Sequence, residues 1–277
     1  MLEVTNLSVH FEDRGIEQKV VKNISFTIQD GEILGIVGES GSGKTMTALA
    51  VAGLLKEQAM LDGGSIMLDG RELLNLSPRE MREVQGQNIG MIFQEPMTAL
   101  NPTMKIGKQV EEALLLHTGL GREERTRKAL HALEDVELKE PEKLYDKYPH
   151  ELSGGMRQRV MIASAMICRP GLLIADEPTT ALDVHTQEEI LCLLKKLNKK
   201  YKMSILFISH NLRVVNTLCR RILVMKDGEV VEQGEARQIF ENPAVQYTKE
   251  LIAAIPSRTK SSGFYRFLRE KAGEGNA

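Results

Sequence analysis

Residues Gly38-Glu39-Ser40-Gly41-Ser42-Gly43-Lys44-Thr45 decide how the rest of the chain is read. They fit the pattern G-x-x-x-x-G-K-[ST] at every fixed position. Ahead of them runs Ile33-Leu34-Gly35-Ile36-Val37, apolar and strand-like. After them, Met46 to Leu55 carries Leu49, Ala52 and Leu54-Leu55 at helical spacing. A strand, a glycine loop and a helix start, in that order, make a phosphate cradle. Gly38, Gly41 and Gly43 tolerate φ > 0 and let the backbone approach an anion closely. Successive N–H groups between Gly38 and Met46, those of Glu39, Ser40 and Ser42 included, then point inward as a nest. The helix that starts near Lys44 turns its positive end toward the phosphates. Lys44 adds a mobile charge for the β- and γ-phosphates of a nucleotide, and Thr45 a hydroxyl for Mg²⁺. The bland alternative, a glycine-rich turn that binds nothing, must account for the loop and both of its flanks at once.

The 277 residues suffice for one or two domains with a real core. A net charge of −2 leaves no bulk basic field for nucleic acid and no acidic tail. No apolar run approaches the ~18–20 residues of a membrane span. Met1-Leu2-Glu3-Val4 shows neither a basic region nor an apolar signal core, so the chain is expected in the cytoplasm unless another protein holds it at a membrane. Cys168, Cys192 and Cys219 are far apart and odd in number, which reads as small core residues in a reducing compartment rather than a disulfide or metal site.

Taken in order, Leu2, Val4, Leu7, Val9 and Phe11 alternate with polar residues as a half-buried strand. Phe11, beside an open loop, suits either stacking on a nucleotide base or ordinary core packing. A polar loop is predicted over Glu12–Lys19. Strands follow at Val20-Val21 and Ile24–Ile28, ending at Asp30-Gly31, and Ser65–Leu68 reads as a hairpin arm before Asp69-Gly70. The first third is thus an antiparallel sheet around the phosphate loop. Ile89–Phe93 is another apolar strand, ending at Gln94. From Met97 to about Pro149 charges crowd, while Leu114-Leu115-Leu116 and Leu130, Leu133, Val136 and Leu138 keep helical spacing. We read a helical subdomain of roughly 50–60 residues, inserted between two strands of the main sheet.

Leu152-Ser153-Gly154-Gly155 opens the next helix, with Ser153 as its cap. Two glycines at a helix start permit close approach of an anion, or simply mark a capped helix; the neighbouring Arg157 and Arg159 favour the anion. Leu172–Ala175 is a buried strand whose end carries Asp176-Glu177, where parallel sheets place their ligands. Asp176 is placed to hold Mg²⁺, usually through water, and Glu177 to polarise a water for in-line attack on a γ-phosphate. Ala181-Leu182-Asp183 opens the next turn, and a helix is predicted over Glu188–Lys200, carrying Ile190, Leu191, Leu194 and Leu197. Ser204–Ile208 is a strand ending at Ser209-His210, a histidine that suits either a γ-phosphate contact or a structural place. A hairpin across Asp227-Gly228 and helical pieces at 235–241 and 246–254 follow. The tail from Ser257, with Phe264–Arg269, reads as a frayed end or a short amphipathic contact.

The phosphate loop, Gln94, Leu152-Ser153-Gly154-Gly155, Asp176-Glu177, Leu182-Asp183 and His210 occur in an order that resembles the ATP-binding subunits of ABC transporters. The likeness covers about residues 2–256. Residues 94–109 and Asn242–Leu251, with Pro256, resemble the dipeptide/oligopeptide/nickel importer branch. The resemblance implies an α/β fold: a P-loop NTPase core with a mostly parallel sheet, an N-terminal antiparallel β subdomain and an inserted helical subdomain. It implies an ATP-binding domain over 1–256, with helices inserted at about 97–155, and a tail over 257–277.

It also implies roles. Phe11 would stack on adenine, and Gln94 would sense Mg²⁺ and the γ-phosphate. Glu177 would be the catalytic carboxylate and His210 the γ-phosphate contact. Ser153, Gly154, Gly155 and Asp183 would serve the nucleotide as well. Met156 stands where the wider family often has Gln. Some relatives carry a C-terminal iron–sulfur cluster; no cysteine follows Cys219, so none is expected. Expected partners are two membrane-spanning permeases, a second ATP-binding subunit, related or identical, and, indirectly, an external solute-binding protein. No nucleic acid is expected, and the place would be the cytoplasmic face of the membrane. Two anion-seeking helix starts in one chain suggest half-sites completed by a neighbour. The competing reading is a soluble ABC-type ATPase of repair or ribosome work, against which the chain shows one cassette and no heptad run.

Overall fold

The computed structural model describes residues 1–13, 16–56, 58–180 and 182–255. Ala181, Pro256 and the tail from Ser257 lie outside them. Strands β1 (Leu2–Asp13) and β2 (Ile16–Ile28) pair antiparallel; β3 (Ile33–Val37) leads through the glycine loop into α1 (Lys44–Val51). Strands β4 (Ala59–Leu61), β5 (Ser65–Leu68) and β6 (Arg71–Glu72) complete the first sheet, in the order β2-β1-β5-β6 with β4 also on β1. Helix α2 (Pro78–Val84) precedes β7 (Ile89–Ile92). Helices α3 (Pro96–Ala99), α4 (Ile106–His117), α5 (Arg122–Asp135), α6 (Pro141–Tyr145) and α7 (Gly154–Met166) separate it from β8 (Leu172–Asp176). Then come α8 (Val184–Tyr201), β9 (Ser204–Ser209), α9 (Leu212–Leu218), β10 (Arg221–Lys226), β11 (Glu229–Glu235), α10 (Ala236–Glu241) and α11 (Gln246–Ala253). The second sheet runs β11-β10-β3-β9-β8-β7, parallel except for the β10–β11 hairpin. This is the α/β arrangement of a P-loop NTPase.

The middle strands of that sheet are buried along their whole length, because both faces are covered. Alternation divides them. Ile33, Val37, Leu173, Ala175, Ile205 and Phe207 enter a core built with the helices, while Leu34, Ile36, Leu172, Ile174, Leu206 and Ile208 enter one built with β1, β2 and α1. The strand ends that carry Asp176 and Ser209 are thereby fixed from two sides.

Some local expectations fail. The polar stretch Glu12–Lys19 is no loop throughout: Glu12 pairs with Glu17 and His10 with Lys19, so the hairpin continues with polar residues on exposed faces. Helix α1 stops at Val51 rather than Leu55, because Gly53 takes φ +65° and turns the chain out of the helix. In α4 the triple leucine splits: Leu114 is buried, while Leu115 and Leu116 face outward. Glu111, from the stretch where charges crowd, is buried, accepting from Lys108 Nζ at 2.6 Å and Thr126 Oγ1 at 3.3 Å. Among the described residues no helix is long and apolar enough to cross a membrane.

Strand β7 lies so close to α7 that a Cβ on Gly90 would stand 2.1 Å from the Ala165 carbonyl oxygen, whereas one on Gly119 meets nothing within 4 Å. Gly90→Ala is therefore expected to cost about 1–3 kcal/mol of stability in thermal denaturation, and Gly119→Ala close to none. Equal melting temperatures for the two variants would contradict this packing.

Candidate functional site

The phosphate loop folds as its glycines allow. Gly41 and Gly43 have φ +84° and +99°, and Gly43 caps α1 in the left-handed region. Gly38 does not have positive φ, contrary to the expectation from sequence. Its glycine is needed for space instead, since a Cβ there would lie 2.2 Å from the Met225 carbonyl oxygen. A Cβ on Gly43 would lie 2.5 Å from the Val20 carbonyl. The β10–β11 turn braces the loop from behind: Gly228 N–H donates to Ser42 O at 3.2 Å, and Lys22 N–H to Gly228 O at 2.8 Å. The antiparallel sheet and the last hairpin thus clamp the loop between them.

Lys44 is only 5% exposed. Its ammonium folds back on the loop, donating to Gly38 O at 2.9 Å, Glu39 O at 2.7 Å and Ser42 Oγ at 3.4 Å. Burial pushes the Lys44 ammonium down, and the carboxylates of Glu177, Asp176 and Glu39 pull the other way. Thr45 Oγ1 donates to Asp176 Oδ1 at 3.2 Å, joining the helix start to the end of β8. Burial pushes the Asp176 carboxyl up, with the Glu177 charge adding to it, against the Thr45 hydroxyl and Lys44. A hydroxyl beside a buried, under-neutralised carboxylate is the oxygen donor set that a Mg²⁺ keeping several waters takes. The residues fit that ion.

Glu177 follows at φ +45°, a left-handed conformation that aims its side chain away from the strand line. Its Oε2 collects three partners: Thr180 Oγ1 donates at 2.8 Å and Gln94 Nε2 at 3.3 Å, while His210 Nδ1 lies 3.0 Å away. The ends of β7, β8 and β9 therefore converge on one carboxylate oxygen. Gln94 reaches Glu177 rather than the Thr45–Asp176 pair. Thr180 was not singled out from the sequence; a threonine three residues after the carboxylate is the signal that could have found it.

Ser153 Oγ accepts from Met156 N–H at 3.3 Å, capping α7 as expected. Asp183 caps α8, accepting from Thr186 N–H at 3.0 Å. These two helix starts are neighbours: a Cβ on Gly155 would stand 2.8 Å from Thr186 Cγ2, so a side chain there would displace Thr186. The side chains of Ser153 and Asp183 bond within their own helix starts, to Met156 and to Thr186, and not to the chain's own phosphate loop among the described residues. Arg159, expected to favour an anion at this helix start, points elsewhere. It is buried, donating from Nη1 to Val136 O at 2.8 Å and from Nη2 to Glu189 Oε2 at 3.0 Å. Phe11 is half-buried on β1, opposite Gln18 and Ala59. Ser40 is exposed on the open side of the loop and Met46 half-buried behind it.

Residues 21–180 match the profile of the family described as ABC transporter. The oligopeptide transport ATP-binding protein OppD of Salmonella typhimurium is 47% identical over 263 residues, 95% of this chain and 78% of that protein. The dipeptide transport ATP-binding protein DppD of Haemophilus influenzae is 46% identical over 256 residues, 92% of this chain and 78% of that one. Among solved structures, the ATP-binding cassette MJ0796, a dimer in a post-hydrolysis state bound to ADP and Pi, superposes with a TM-score of 0.77 at 32% identity, over 86% of this chain and 99% of that chain.

Because a raised folded-state pKa means that ionised Asp176 weighs against the fold at neutral pH, and the penalty lifts as pH falls through that pKa, Asp176→Asn should not destabilise the nucleotide-free chain. Its melting temperature is expected a few degrees above wild type at pH 7, with the gap closing toward acid. A lower melting temperature than wild type at pH 7 would contradict the burial argument.

Proposed function

The chain belongs to the ABC transporter family, and from that premise we propose that it is the ATP-hydrolysing subunit of a peptide importer, driving uptake through partner permeases. The observation that carries the reading is the convergence of Gln94, Thr180 and His210 on the Glu177 carboxylate, next to a phosphate loop whose Lys44 and Thr45 face Asp176. ATP binds with its triphosphate along the loop N–H groups from Ser40 to Met46, the Glu39 N–H being turned to the Tyr247 hydroxyl at 3.2 Å, and Lys44 turns from Gly38 O and Glu39 O toward the β- and γ-phosphates. Phe11 lies under the base. Thr45 and Asp176, with Gln94 once it turns from Glu177, would hold Mg²⁺, which would supply charge neutralisation for phosphoryl transfer. Glu177 orients a water and takes its proton as the water attacks the γ-phosphorus. The bond to the β,γ-bridging oxygen breaks, and ADP and phosphate leave. His210 contacts the γ-phosphate.

Ser153, Gly154, Gly155 and Asp183 face away from the chain's own cradle in this reading and close over the nucleotide of a second ATP-binding subunit, related or identical. Two such half-sites make two shared sites. ATP then holds the pair together, and loss of the γ-phosphate removes several charge-assisted bonds at once. The helical insertion, about 97–155, moves with that closure. Beside Gln94 a cleft of about 270 Å³ runs between β7 and α7, lined by Leu54, Met91, Phe93 and Met161, with Phe93 42% exposed. An apolar cleft next to the residue that contacts Glu177 suits a permease segment, which would hold the chain at the cytoplasmic face of the membrane. The transport subunits among the relatives favour this over the soluble ATPase reading. Cargo choice, peptide or chelated nickel, lies with the permeases and an external binding protein.

Glu177→Gln in the assembled transporter is expected to keep ATP affinity and to lose about 10²-fold or more in turnover. Wild-type hydrolysis by that variant would overturn the assignment of Glu177. Phe93→Asp should release the chain from its permeases on co-purification while nucleotide binding in solution stays unchanged; full retention would overturn the docking role of the cleft.

A further inference from the structure

The geometry points to Tyr247, on α11, as a positioning residue of the phosphate loop: its hydroxyl holds the Glu39 peptide and makes the C-terminal helix part of the nucleotide cradle. The Glu39 N–H donates to the Tyr247 hydroxyl oxygen at 3.2 Å, a contact between residues 208 positions apart. Tyr247 is 7% exposed. Lys226 Nζ sits 4.8 Å from its ring centroid. Lys226 ends β10 directly after Met225, whose carbonyl excludes any side chain at Gly38. The ring is therefore wedged against the strand end that shapes the start of the loop. Helix α11 is itself anchored, since Glu232 of β11 accepts from Ala244 N–H at 2.8 Å and from Val245 N–H at 3.3 Å, fixing the turn that leads into it. Burial pushes the Tyr247 phenol up, so the group at the loop is the neutral hydroxyl.

Glu39 is held at both ends. Its N–H goes to Tyr247 and its carbonyl to Lys44 Nζ. When Lys44 turns toward a phosphate, the carbonyl keeps the Ser42 N–H at 3.2 Å, a bond within the loop, and the Tyr247 hydroxyl holds the residue from outside it. Without the hydroxyl, the entry to the cradle has to be ordered by the nucleotide itself, and that ordering weakens binding. Glu177, which carries the chemical step in the reading above, is untouched. The effect falls on nucleotide affinity rather than on turnover.

This inference rests on the ATPase reading, and the wild-type control separates the two: an assembled wild-type transporter that hydrolyses no ATP would sink that reading first. With wild type active, Tyr247→Phe keeps the ring on Lys226 and removes the hydroxyl alone. The expected result is a KM for ATP raised about three- to tenfold, the size of one lost neutral hydrogen bond, with kcat within about twofold and the melting temperature unchanged. An unchanged KM overturns the proposal. So does a joint fall of kcat and melting temperature with KM unchanged, which is what a merely structural tyrosine produces. A measurement without any variant bears on it independently: hydrogen exchange of the nucleotide-free wild-type protein should show the Glu39 amide protected, and exchange at the rate of an unstructured amide overturns the contact.

Discussion

The structure turns on a buried ammonium. Lys44 has few water contacts, and its charge is satisfied by the Gly38 and Glu39 carbonyls and by the field of Asp176 and Glu177. A cation can be kept there only if the surrounding backbone is held rigidly enough to present its carbonyls. That rigidity comes from several elements. Strand β3 delivers the loop, the Val20 and Met225 carbonyls wall it in, the Gly228 turn braces Ser42, and β8 brings its carboxylates to the far side. The same charge that is costly to bury in the empty chain is what a triphosphate recruits. The loop's own carbonyls are weaker partners than phosphate oxygens, so nucleotide binding exchanges a modest satisfaction for a better one.

The carboxylate side follows the same logic with the sign reversed. Asp176 is buried, and the hydroxyl of Thr45 donates to it without offsetting the cost of that burial. Glu177 is better served, at the meeting of three strand ends. One carboxylate is left for a cation and the next is positioned by side chains from three strand ends, which is a division of labour between adjacent residues set by their surroundings alone.

What the sequence discloses and what it withholds follow chain distance. The strand–loop–helix run around Gly38–Thr45, the apolar strand before Asp176 and the capping serine at 153 are local patterns, and each stands where its period and turn chemistry put it. The readings that missed depend on partners far away in sequence. Gly38 is glycine because of the Met225 carbonyl, and Arg159 serves Val136 and Glu189 rather than an anion; Tyr247, which no sequence pattern singled out, meets a loop more than two hundred residues upstream. A periodicity argument cannot supply such pairs, because the period describes one element and not what it packs against. Ala181 and the tail from Ser257 lie outside the described residues.

The account's central claim is that each nucleotide site is shared, with the Ser153–Gly155 turn of one subunit closing on the triphosphate held by another. Vanadate trapped with ADP in the γ-phosphate position cleaves backbone close to it under ultraviolet light. Applied to the assembled transporter, followed by mass mapping of the fragments, the account predicts cuts in two places, within 38–45 and within 153–155. Cleavage confined to the phosphate loop, with the Ser153 turn intact, would contradict it.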